Sequence, residues 1–229
     1  MPGHDAVVAL LDLSHPLTTG MPVHPGDPEV RAVPAATLER DGCNVLAVGL
    51  GSHTGTHLDA PFHVHADGAR LDELPLELLT GPAVVVDVQG CAPGSAIGWE
   101  HLAPHAGRLR PGVVVLLHTG WSARWGEPRY FADHPWLTTD AARRIVAAGV
   151  RVLGVDTASP DPAGSLDVHR VVLGAGGVIV ENLTGLARLA TLPDPHVGFF
   201  PLPLAGADGA PVRALAWPGT PAAGQVDMP

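Results

Sequence analysis

The chain contains no lysine, so all 13 of its basic side chains are arginine. That absence removes Schiff-base catalysis by a lysine amine and the lysine of a phosphate-binding loop. Positive charge is also scarce: 13 arginines face 23 acidic residues, for a formal net charge of −10. There is no arginine-rich run and no interleaving of basic with aromatic residues, so nucleic acid is not an expected partner. Cysteine is limited to Cys43 and Cys91, which lack CxxC spacing and are expected to be packed thiols in a reducing cytoplasm. No apolar run approaches the roughly 20 residues that cross a bilayer, so no membrane partner is expected. The stretch from Ala6 to Leu13 is interrupted by Asp12 and suits a first strand better than a secretory leader. The GxSxG elbow of a serine hydrolase is missing, and GAGG at 174–177 falls short of the full dinucleotide-binding fingerprint.

What the chain has in quantity is glycine, 28 residues, and proline, 24, spread along its length. Such punctuation argues against a helical bundle and for short strands joined by many turns. With 229 residues, 46% of them hydrophobic, one domain over 1–229 is expected. Val45–Leu50, Val84–Val88 and Val113–His118 read as strands. Trp99–His105 reads as a short helix limited by Pro104. A clear helix starts at Thr138 or Thr139, carries Asp140 in its first turn and ends before Gly149; the run Val150–Val155 follows as a strand. Val171–Leu173 reads as a strand interrupted at Gly174, Gly176 and Gly177 and resumed at Val178–Val180, before a short helix over Thr184–Ala190. Two further strands are expected within 197–217 around the turn AGADGAP. Strand, helix and strand in succession give an α/β class.

Chemistry concentrates in SHTGTHLDAPFH at 52–63, where His53, His57, Asp59 and His63 fall within eleven residues. Imidazole nitrogen with carboxylate oxygen suits Zn²⁺, with Mn²⁺ or Fe²⁺ as substitutes, whereas calcium calls for more oxygen donors. On a straight strand, His53 and His57 would stand roughly 13 Å apart at about 3.3 Å per residue, too far for one ion. A bend at Gly55 would close that gap, because glycine reaches dihedrals that the flanking threonines avoid. Pro61 then prevents a regular helix on the way out. His169, before VVL, and Glu181, after GVIV, are candidates for further ligands at strand ends. The aromatic residues Trp121, Trp125, Tyr130, Phe131 and Trp136 gather in an otherwise aromatic-poor chain and suit a pocket wall, a core or an interface.

The segments MPVHPGD at 21–27, HTGTHLDAPFH at 53–63, HTGW at 118–121, LGVDTASPD at 153–161, DVHRVVLGAGGVIVENL at 167–183 and PLPLAGADGAPVRALAW at 201–217 together resemble the cyclase-like family of metal-dependent hydrolases, close to bacterial kynurenine formamidases (arylformamidases). The resemblance implies a swivelling β/β/α domain and a homodimer or homotetramer. It also implies two ions, zinc or manganese, one on His53, His57 and Asp59 and one on Asp59, His169 and Glu181, with Asp59 bridging. His63 would be the acid–base residue. The implied reaction is hydrolysis of N-formyl-L-kynurenine to L-kynurenine and formate, a step of tryptophan catabolism. Alternatives are opening of isatin or another cyclic amide or carbonyl compound, and a noncatalytic metal-stabilised binding protein. His24 departs from the formamidase-like pattern, which has tryptophan there, and imidazole offers less stacking area than indole. His24, Trp121, Asp156 and Ser159 are the expected substrate-pocket residues, and Arg124 or Arg129 is a candidate for meeting a substrate carboxylate.

Overall fold

A computed structural model describes residues 10–219. Its strands are β1 (Leu11–Asp12), β2 (Arg31–Ala36), β3 (Val45–Gly49), β4 (His57–Asp59), β5 (Thr80–Asp87), β6 (Ala96–Ile97), β7 (Val114–His118), β8 (Trp136–Leu137), β9 (Val152–Val155), β10 (Val178–Glu181), β11 (Pro195–Pro201) and β12 (Gly209–Pro218). The helices are α1 (Leu38–Asp41), α2 (Trp99–Leu102), α3 (Thr139–Ala147), α4 (Asp167–Gly174) and α5 (Leu186–Leu189).

Strands β5, β7, β9 and β10 run parallel, as their continuous apolar sequences require of strands covered on both faces. The ring is completed by antiparallel pairings of β10 with β4, β4 with β12, β12 with β11 and β11 with β5. A barrel therefore closes, with β1 attached to β12. Alternation along β7 shows how the core divides. Val114 and Leu116 point into the cluster containing Leu58, Val180 and Phe199, while Val115 and Leu117 join Ile145, Val172 and Ile179 beneath the helices. The result is a mixed β-barrel core flanked by helices, the β/β/α architecture.

Helix α3 begins where its cap signal stands, with the Thr138 hydroxyl accepting from Ala141 N, and buries Ala141, Ala142 and Ile145 on one face. From Trp99, a single α-helical turn passes into a 3₁₀ segment over Ala103–Arg108, where Pro104 sits. Val171–Leu173 is not a strand: it lies within α4. Val168 and Val172, and His169 and Leu173, are pairs four residues apart that form one buried face against α3 and β10. The Asp161 carboxylate accepts from Val168 N and His169 N in the first turn, so packing and capping overcome the preference of the valines for strands. Residues 6–9 of the expected first strand, and 220–229 of the tail, lie outside the described residues. The pair β2–β3 forms a separate two-stranded arm outside the barrel.

Candidate metal centre

Gly55 adopts φ 63°, and the chain bends there before entering β4. Strand alternation puts His57 and Asp59 on one face, with Leu58 turned into the barrel core. The bend returns His53 to the same place, its Nδ1 2.6 Å from Asp59 Oδ1, while His57 Nε2 lies 3.3 Å from that oxygen. The antiparallel register of β10 on β4 sets Glu181 opposite His57. Helix α4 supplies His169, whose Nε2 is 3.3 Å from Asp59 Oδ2 and 3.2 Å from Glu181 Oε1.

Three donor groups have their ligand atoms within 4.8 Å of one another: the two buried triads His53–His57–Asp59 and Asp59–His169–Glu181, and the more open His53–His63–Asp208. Asp59 belongs to both buried triads and directs one oxygen to each. Asp59 Oδ2 and Glu181 Oε1 are sealed from solvent and have no hydrogen bond among the described residues. Leaving a charged buried acceptor unpaired costs more than the roughly 1–3 kcal/mol of a neutral one, so the pair is a fitting receptor for a cation. The imidazoles are oriented to match. His57 donates Nδ1–H to Gly55 O at 2.9 Å and His169 donates Nδ1–H to Asp161 Oδ2 at 2.7 Å, which leaves both Nε2 lone pairs facing the carboxylates. His53 Nε2 meets Asp208 Oδ2 at 2.9 Å, which frees Nδ1 in the same way.

The same clustering of charge sets how readily each donor holds a proton. Burial opposes charge on His57, but Asp59 and Glu181 outweigh it and raise its pKa to about 10. Burial likewise opposes charge on His169, yet the hydrogen bond to Asp161 and the nearby Asp59 and Glu181 carboxylates hold its pKa well above the usual range. Asp59 is pushed well below the carboxylate range because His57 and His53 overcome its burial. His63 behaves in the opposite sense. Burial, reinforced by His53 and His169 and opposed by Asp59, lowers its pKa and favours a neutral ring. Its side chain is 25% exposed, with the ring 4.1 Å from that of His53, at the open side of the triads.

The triads floor a cavity of about 310 Å³, lined also by His24, His63, Phe131, His134 and Ser159. Over residues 11–162 the chain matches the family described as "Putative cyclase". It is 36% identical to a kynurenine formamidase of Paracidovorax citrulli over 211 residues, 90% of this chain and 95% of that protein. Against a kynurenine formamidase of Salinibacter ruber it is 34% identical over 220 residues, covering 91% and 97% respectively. The fold superposes on isatin hydrolase A of Labrenzia aggregata with a TM-score of 0.83 at 26% identity, over 93% of this chain and 94% of that one. The chain belongs to the cyclase-like metal-dependent hydrolase family.

In this member of the cyclase-like family, His24 is exposed at the cavity rim, with its ring 6.0 Å from Phe131, and Ser159 lies in the wall. Two expected pocket residues sit behind that wall. Trp121 is buried, donating its indole N–H to Tyr130 O, and Asp156 accepts from Thr119 N, Thr119 Oγ1 and Gly120 N. Arg124 and Arg129 lie over the Trp121 ring and pair with Glu127, away from the cavity lining. Four residues escaped the sequence reading. Asp161 orients His169 and Asp208 contacts His53. Asn182, at φ 57°, donates Nδ2–H to Gly55 O and accepts from Tyr130 Oη, and His134 lines the cavity. Asp161 had a local signal, lying eight residues before His169 in the SPD of LGVDTASPD. Asp208 had none, because the contact spans 155 residues and follows from the β12–β4 register.

Proposed function

We propose that the chain hydrolyses an aryl formamide, N-formyl-L-kynurenine to L-kynurenine and formate, with zinc as the resident ion and manganese able to replace it. The observation that carries this reading is Asp59 shared between two donor triads, with the partly exposed His63 ring beside them. Bound by His53, His57 and Asp59 and by Asp59, His169 and Glu181, divalent cations supply Lewis acidity toward a carbonyl oxygen and toward water. The chain's own residues do the rest. Asp208, 3.5 Å from His63 Nδ1, favours the tautomer protonated there, so Nε2 is the atom that takes a proton from attacking water. The same proton goes to the departing nitrogen as the C–N bond breaks, giving the aryl amine and formate. Phe131, Ala158, Pro162 and Leu166 offer an apolar wall to the aromatic ring.

Opening of isatin is the second reading, supported by the fold likeness to an isatin hydrolase and by His24 at the rim. A noncatalytic metal-stabilised binding protein is the third. The test is turnover of N-formyl-L-kynurenine and isatin by the metal-reconstituted protein, with formate and ring-opened product quantified separately. Formate release supports the first reading, preferential ring opening the second, and neither product the third. We read the assembly as a cytoplasmic homodimer or homotetramer, supported by the apolar β2–β3 arm. No described helix is long and apolar enough to cross a membrane.

A further inference from the structure

His134 lines the cavity but belongs to neither triad. The residue is 2% exposed, and its Nδ1 stands 3.2 Å from the Pro135 carbonyl oxygen. A carbonyl only accepts, so the proton is on Nδ1 and the neutral ring carries its lone pair on Nε2. That atom has no hydrogen-bond partner among the described residues, and it is not among the unpartnered atoms sealed from solvent. Burial holds the ring's pKa below the usual histidine range, against the Pro135 carbonyl and the charges of Glu181, Asp161 and Asp133, which favours the neutral acceptor. Around it, Phe131, Ala158, Pro162 and Leu166 form a surface suited to a flat ring. Water can meet that acceptor in the open cavity, and a ligand that displaces the water keeps the hydrogen bond only if it brings a donor.

We propose that His134 Nε2 accepts a hydrogen bond from the N–H of the bound amide, so that the cavity selects secondary aryl amides and lactams over their N-alkylated counterparts. This rests on the amide-hydrolase reading, and it names a selectivity that reading does not contain. His63 and His134 then divide the work, one moving a proton and the other recognising the nitrogen that bears it.

The test compares kcat/KM of the metal-loaded protein for formanilide against N-methylformanilide and for isatin against N-methylisatin, in the natural chain, His134→Phe and His134→Gln. In parallel, calorimetry measures binding of oxindole and N-methyloxindole. In the natural chain, N-methylation is expected to cost about 10- to 100-fold in kcat/KM and in affinity, the scale of one unmade buried hydrogen bond. His134→Phe should erase most of that difference, whereas His134→Gln, which keeps an acceptor oxygen, should restore part of it. The variant-to-natural ratio cancels the intrinsic reactivity of each amide. An unchanged N-methyl penalty in His134→Phe, or no penalty in the natural chain, overturns the proposal. Absence of turnover with oxindole still preferred over N-methyloxindole would defeat the hydrolase reading and leave the His134 subsite standing.

Discussion

Asp161 illustrates how a residue outside the triads governs them. Its Oδ2 receives the His169 Nδ1–H at 2.7 Å, and the same carboxylate caps the first turn of α4 through Val168 N and His169 N. Asp161→Asn keeps the shape but removes the charge that fixes the tautomer, so affinity for the ion on Asp59, His169 and Glu181 should fall about 10- to 100-fold. Competition against a chelator, followed by metal analysis, checks this. His15 has a different fate. Its ring stacks on Trp125 with centroids 4.2 Å apart, its Nε2 is sealed without a partner, and burial lowers its pKa to about 4. A histidine whose folded pKa lies below its unfolded value binds fewer protons folded than unfolded. Stability is therefore lost as pH falls from about 6.5 to about 4, and levels off below. His15→Phe keeps the stack and removes the titration, so the drop in Tm between pH 7 and pH 5 should shrink.

At the scale of elements, the bend at Gly55 determines whether His53 reaches the first triad. A Cβ there would meet Leu17 Cδ2 at 2.7 Å and would have to be carried at φ 63°. Gly55→Ala should lower stability by about 1–2 kcal/mol in denaturant titration and weaken metal binding at the His53 triad. Residue spacing alone locates this bend, because the cluster is contiguous in sequence and a straight strand could not serve one ion. β7, β9 and α3 were legible for similar local reasons: uninterrupted apolar runs and a threonine cap. α4 was not, because Val171, Val172 and Leu173 favour strands in isolation and are helical only through their packing on α3 and β10. Asp208 and Asn182 were hidden for a further reason. Their places depend on which strands become neighbours, and pairings across more than 100 residues leave no local pattern.

For the whole molecule, the barrel satisfies its own strand edges, but the arm does not satisfy its apolar side chains. Val33, Val45, Leu46 and Val48 on β2–β3 are each more than half exposed. A two-stranded ribbon is marginal alone, and such side chains call for cover. Sedimentation should find an oligomer in the natural chain and a smaller species after paired Leu46→Glu and Val48→Glu substitutions. Narrower than the assembly or the substrate is the proposal that Asp59 joins two cation sites in one hydrolytic centre. It is tested most directly by counting divalent ions per chain, by elemental analysis after reconstitution, in the natural protein, His63→Ala and Asp59→Asn. Two ions are expected in the natural chain, two in His63→Ala with turnover lost, and one or fewer in Asp59→Asn. An unchanged count in Asp59→Asn, or no ions in the natural chain, would contradict it.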